Sequence, residues 1–300
     1  MASLRSRILH QTLRRVTNAI NFPLSIQEKR TRLDELARRG IRIPKGVAVR
    51  TVRAGGVHAE WIEPTVAAFR KVILYLHGGG YCICSLDTHR GLAARLALAS
   101  QARVLIIDYR LAPENPYPAA LEDALAAYQW LLAQGVPASN IAIGGDSAGG
   151  GLALATAVSL RDAGQALPAA LFLLSPWTDL TFSGESHSTR KKMDPIFGGD
   201  NGTLEFGPAY LGVADSSNPL ISPLFADMQG LPPTLIHVGS DEILLDDSTR
   251  LEVKLTSSGV VARLKIWDGM WHVFQVFAPY VPEAQQAIQQ IGEFISEHVA

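Results

Sequence analysis

Cysteine is nearly absent: 300 residues contain two, Cys82 and Cys84. Two neighbouring thiols cannot staple a chain of this size, and two ligands do not make a zinc site. They read as buried free thiols, which suits a reducing cytoplasm. No apolar run is long enough to cross a bilayer. The N-terminus lacks the basic patch, apolar core and cleavage site of a secretory signal. Before Glu28 it also lacks acids, while Arg5, Arg7, Arg14 and Arg15 give it a faint likeness to a mitochondrial transit peptide. Charge is nearly balanced, at a formal net −1. With no basic stripe and no aromatic-basic module, nucleic acid is not an expected partner. Repeats, low-complexity tracts and linkers are missing too, so a single domain is expected over 1–300.

What is present is strand-helix alternation. Leu4, Ile8, Leu13, Val16 and Ile20 recur at helical spacing, and a second helix is predicted from Ser25 to Arg39, ending at Gly40. From Val47 the period changes to two. Residues 47–52 and 57–62, separated by Ala54-Gly55-Gly56, read as an antiparallel hairpin. Strands read at 71–76, 103–107, 141–143, 169–174, 234–238 and 263–267, most of them largely apolar, alternate with helices at 87–100, 118–133, 152–160, 243–257 and 282–298. That rhythm predicts an α/β fold with a mostly parallel sheet covered on both faces. Residues 178–230 break it and read as an insertion. With residues 1–45, part of it (about 180–215) is expected to form a cap, and Phe22, Leu24, Met193, Phe197, Phe206 and Tyr210 are its candidate pocket residues. A cap packed over the strand ends should leave no exposed apolar stripe for a membrane interface.

The chemistry centres on Gly145-Asp146-Ser147-Ala148-Gly149, between an apolar strand and a helix former. Strand and helix nearly touch at such a turn, so the positions flanking the serine must be small. The serine is forced into a strained conformation with its hydroxyl projecting at the sheet's end. A serine hydroxyl needs a base. Among His187, His237, His272 and His298, His272 alone follows the last strand directly and precedes the last helix. His237 reads as a packed strand residue. The acid is expected at a strand's end, where Asp241 stands; Asp246 and Asp247 fall within a helix, and Asp268 precedes the histidine in its own loop. Oxyanion donors are expected from the Ala148 amide and from His77-Gly78-Gly79-Gly80, where glycines let the backbone approach a substrate.

With these residues in hand, the chain resembles the hormone-sensitive-lipase branch of the α/β-hydrolases, the bacterial carboxylesterases with an HGGG motif. The likeness rests on His77-Gly-Gly-Gly80-Tyr81, Asp108-Tyr-Arg-Leu-Ala-Pro-Glu114 with Pro118, Gly145-Asp-Ser-Ala-Gly-Gly150, Ser240-Asp241 with Leu244 and Asp246, and His272. It implies an eight-stranded sheet with a helical cap, a Ser147–His272–Asp241 triad, and oxyanion donors at Gly79, Gly80 and Ala148 with Gly78 shaping the loop. It also implies no metal or cofactor, a small ester of short to medium acyl chain as substrate, and in many relatives a homodimer. The same groups would serve an amidase, deacetylase or lactonase. A ligand receptor is the alternative of another class, since plant gibberellin receptors resemble this family; they lack the histidine that is present here.

Overall fold

The computed structural model describes residues 2–20, 24–66, 70–197 and 205–300, with the backbone alone over 16–20. Its elements run α1 (Leu4–Ile20), α2 (Ile26–Gly40), β1 (Val47–Ala54), β2 (Val57–Pro64), β3 (Val72–Leu76), α3 (Leu86–Ser100), β4 (Arg103–Ile107), α4 (Ala119–Ala133), β5 (Ile141–Asp146), α5 (Ala148–Asp162) and β6 (Ala170–Leu174). The insertion holds two short helices, α6 (Ser186–Thr189) and α7 (Phe206–Leu211). Then come β7 (Thr234–Gly239), α8 (Leu245–Ser257), β8 (Ala262–Trp267) and α9 (Pro282–His298).

The strands form one eight-stranded sheet in the order β1-β2-β4-β3-β5-β6-β7-β8. The hairpin edge is antiparallel, and β2 meets β4 antiparallel; every other pairing is parallel. The α/β class and the eight strands expected from the sequence are therefore present. Strands β3 to β6 are buried except at Arg103, and nearly all of their side chains are apolar, because both of their faces are covered. Val72, Leu74 and Leu76 point to the face under α4, α5 and α8, while Ile73 and Tyr75 point to the face under α3 and α9. Each such burial is worth about 1.5–3 kcal/mol. Helix α5 is buried on nearly every side, which is why its sequence has almost no polar face.

Helix α2 is closed by a reciprocal cap between Ser25 and Glu28. Arg30 pins it to the molecule, donating to the Cys82 and Ala112 carbonyls at 2.6 and 2.5 Å and pairing with Glu114 at 2.8 Å. Helix α1 is tied to α9 through Ser6, whose hydroxyl donates to Glu283 at 2.6 Å. Leu4 and Ile8 on α1 and Leu36 on α2 remain exposed, so these two helices keep some apolar surface uncovered. No described helix is long and apolar enough to cross a membrane. Both cysteines are free, and burial pushes their thiols up to about 12.

Candidate active site

The ends of β3, β5, β7 and β8 bring the candidate residues together at the carboxyl edge of the sheet, where open α/β sheets gather function. Ser147 follows β5 with φ 54° and ψ −122°, and α5 begins at the next residue. That conformation costs about 1–3 kcal/mol. It is held by the Ser147 N–H donating to the Leu174 carbonyl at 2.8 Å, and by the Ser147 carbonyl accepting from Trp177 at 2.9 Å. The flanking glycines are sterically required. A Cβ at Gly145 would lie 2.3 Å from the Gly149 carbonyl oxygen, and one at Gly149 would lie 2.0 Å from that of Leu76.

His272 lies in the loop after β8 and is 5 % exposed. Its Nδ1 is 2.7 Å from Glu242 Oε2. Glu242 is fully buried, and its other oxygen accepts from Ser175 Oγ at 2.8 Å and from the Gly239 amide at 2.5 Å. The expectation that Asp241 holds the histidine is therefore corrected. Asp241 turns away: its Oδ1 accepts from Ser240 Oγ at 2.7 Å, and its Oδ2 lies 3.9 Å from His10 of α1. The physical reason is that α8 starts only at Leu245, so residues 240–244 form a turn. One step along a turn reverses the side chain's direction, and "an acid at the strand's end" fits two adjacent carboxylates equally.

Burial alone would lower the pKa of His272, but the Glu242 hydrogen bond and charge outweigh it, with Asp194 and Asp146 helping, and hold it above the ordinary histidine value. The other histidines take structural places. His237 is buried in β7, where burial drives its pKa down to about 3. His187 faces the buried Asp247 at 3.3 Å. His77 stacks on Tyr109 with ring centroids 4.3 Å apart, and burial, with His89 adding to it, lowers its pKa to about 4. The rival acids Asp246 and Asp247 anchor the insertion, accepting from the amides of Ser186 and of Thr178 and Asp179.

Residue His89, on α3, was not anticipated. Its Nε2 lies 3.1 Å from Asp146 Oδ2, and Tyr75 donates to Oδ1 of the same carboxylate at 2.7 Å. Burial opposes ionisation of Asp146, yet His89 and Tyr75 prevail and keep its pKa below the usual carboxylate value. A Cβ on Gly78 would meet Asp146 Oδ2 at 2.2 Å, so this carboxylate forms the floor under the glycine loop. Tyr109 of the Asp108–Glu114 motif braces that loop from the other side, donating to the His77 carbonyl at 2.7 Å.

Gly79 and Gly80 have φ of +111° and +60°. Among the described residues their amides donate to no protein acceptor, and the Ala148 amide, at the first position of α5, has no partner within its own helix. Gly79→Ala is expected to cost about 2–4 kcal/mol of transition-state stabilisation, the scale of one lost donor, read as kcat/KM. The new Cβ would lie 2.1 Å from the Ile83 carbonyl oxygen at a φ that disfavours any side chain, so the loop itself must move. Unchanged kinetics would show that this glycine is only a turn residue.

Ser147, His272, Gly79 and Gly80 share one cavity of about 510 Å³. Leu33, Leu36, Ala37 and Ile41 wall one side, all from α2 or the residue after it; Ile196, Phe197 and Phe206 come from the insertion. Of the other predicted pocket residues, Tyr210 instead stacks on Tyr81 with centroids 3.7 Å apart. Met193 is exposed, Leu24 lines a separate shallow groove, and Phe22 lies outside the described residues. Among the described residues no cluster of His, Cys, Asp and Glu could hold a metal ion.

Residues 73–276 match the family described as having the alpha/beta hydrolase fold. An acetyl-hydrolase of Streptomyces hygroscopicus is 44% identical over 245 residues, covering 81% of each chain. An esterase of Acinetobacter venetianus is 41% identical over 264 residues, covering 87% of this chain and 86% of its own. The crystal structure of a hormone-sensitive lipase from a metagenome library superposes with a TM-score of 0.95 at 41% identity, covering 100% of both chains. The chain belongs to the α/β-hydrolase family. Within it, the chain is a carboxylic ester hydrolase of the hormone-sensitive-lipase-like branch.

Proposed function

We propose that the chain is a serine carboxylesterase acting through an acyl-enzyme, with Ser147 as nucleophile, His272 as base and Glu242 as the acid that orients it. The observation that carries this reading is the 2.7 Å contact of His272 Nδ1 with Glu242 in the cavity that also holds Ser147. With its Nδ1 proton donated to Glu242, the imidazole keeps the Nε2 lone pair free to take a proton. Ser147 Oγ attacks the ester carbonyl as His272 accepts its proton. The oxyanion is met by the amides of Gly79, Gly80 and Ala148, and the N-terminus of α5 favours the developing charge. His272 returns the proton to the departing alcohol. Water, activated by His272, then cleaves the acyl-enzyme. An organophosphonate should label Ser147. Finding the adduct by mass spectrometry on Ser159 or on Ser175, whose hydroxyl already donates to Glu242, would overturn the assignment.

Residues 1–45 and about 180–215 form the cap in this reading, on a single domain, and the free thiols suit the cytoplasm. The walls from α2 and the insertion are apolar and bounded, which favours acyl chains of about two to eight carbons. Each buried methylene helps only while there is wall to contact. The acetyl-hydrolase name of the Streptomyces relative agrees with the short end of this range. Rates across a panel of acyl esters should fall on longer chains and show no jump above the solubility limit. Deleting residues 1 to about 40 removes the α2 wall and should change chain-length preference and lower stability together. An enzyme that worked best on emulsified long-chain triglycerides, or kept its preference without α2, would contradict this picture.

A further inference from the structure

A second buried carboxyl lies beside the Glu242–His272 pair. Asp194, in the insertion, is 1 % exposed. Its Oδ1 accepts the amides of Ile196 at 2.8 Å and Phe197 at 3.1 Å. Those two bonds make a local turn that asparagine or serine would make as well. The third bond is not local. Oδ2 accepts the Ile243 amide at 3.1 Å, from a residue 49 positions away that directly follows Glu242. Phe197 in turn lies edge-on to the His272 ring, with centroids 4.6 Å apart. Ile196, Phe197 and Ile243 all line the cavity. One carboxylate thus joins the insertion's wall to the acid's turn and holds an aromatic ring against the base.

We propose that Asp194 is a positioning residue for ester hydrolysis, fixing the turn that carries Glu242 and the ring packed on His272, and through them the direction of the imidazole toward Ser147. This rests on the reading of His272 and Glu242 as base and acid. The groups that face Asp194 are His272 and Glu242, and those that face His272 are Glu242, Asp194 and Asp146. Burial pushes the Asp194 carboxyl up to about 6, with His272 opposing the rise and Glu242 adding to it. A carboxyl whose folded pKa is raised costs stability above that pH. Ionising it therefore adds no stability at neutral pH.

Asp194→Asn keeps the shape and the two local bonds, but can turn an amide donor toward the Ile243 amide. On a short p-nitrophenyl ester, kcat should fall about 10- to 100-fold, the scale of a small misplacement of catalytic groups, with KM little changed. The acid limb of the kcat/KM profile should move to lower pH, because a negative charge favouring the imidazolium is gone. Asp194→Asn combined with Glu242→Gln should be no slower than Glu242→Gln alone, since both act through one pair. Where Asp194→Asn yields no folded protein, Phe197→Leu tests the same positioning and should lower kcat on an acetyl ester several-fold. Wild-type kcat and an unmoved acid limb in Asp194→Asn, beside a crippled Glu242→Gln, would overturn this proposal alone. So would losses that multiply in the double variant, or unchanged kcat in Phe197→Leu. A harmless Glu242→Gln would instead overturn the acid reading beneath it.

Discussion

Ser147→Ala is expected to lower kcat by about 10⁶-fold while leaving the melting temperature within a degree or two of the wild type. The fold uses the backbone of this residue and not its hydroxyl. The Ser147 amide donates to Leu174, and its carbonyl accepts from Trp177 and the first turn of α5. Alanine keeps the Cβ and adds no bulk, so the strain at φ 54° is unchanged. Turnover, by contrast, loses the atom that forms the acyl bond in the proposed mechanism. A residual rate about 10³–10⁴-fold above water should persist, because the amides of Gly79, Gly80 and Ala148, the proposed oxyanion donors, remain in place. A variant that hydrolysed esters at more than a few per cent of the wild-type rate would mean that the chemistry runs elsewhere.

Glu242→Gln is expected to lower kcat by about 10³- to 10⁴-fold, and Asp241→Asn by little or nothing. Glutamine can present its amide nitrogen to His272 Nδ1, which then accepts a hydrogen bond and leaves the proton on Nε2, the wrong tautomer for a base. Among the described residues the Asp241 side chain meets Ser240 and the neighbourhood of His10. The pH profile separates the two further. Burial lowers the pKa of His272, and Glu242, with Asp194 and Asp146, raises it to a net position above the ordinary value. Without the carboxylate the acid limb of kcat/KM should move to lower pH. The linked stability has a definite sign. A histidine whose folded pKa is raised stabilises the fold fully below its unfolded pKa, about 6.5, and that contribution is lost as pH rises through the folded value. Thermal melts of wild type and Glu242→Gln should therefore differ most on the acid side. A crippled Asp241→Asn with an active Glu242→Gln would restore the first expectation.

The sheet was legible because parallel strands buried on both faces write themselves as apolar runs, as at 72–76 and 103–107, and helices between them must be right-handed crossovers. The Ser147 turn was legible for a stronger reason. Helix α5 approaches β5 at Gly145 and the end of β3 at Gly149 so closely that no other residue fits, so the geometry is printed as composition. His272 was found by its place after β8. The choice between Asp241 and Glu242 was not written in this way. Both follow β7, and only the turn before α8 decides which carboxylate faces inward. The pocket list fared likewise. Phe197 and Phe206 line the cavity while Tyr210 packs on Tyr81, because wall and core call for the same residue types.

By itself, then, the chain determined its class, its mostly parallel sheet, and the places of Ser147 after β5 and His272 after β8, since each is a local steric or periodic demand that only certain residues meet. Tertiary structure alone decided which carboxylate meets His272, the hydrogen bond of Asp194 to a residue 49 positions away, the His89–Asp146 floor under the glycine loop, and which side of α2 walls the cavity. These are contacts between side chains from distant segments. Their direction depends on how a turn is wound and how two elements pack, and neither leaves a period or a spacing in the sequence.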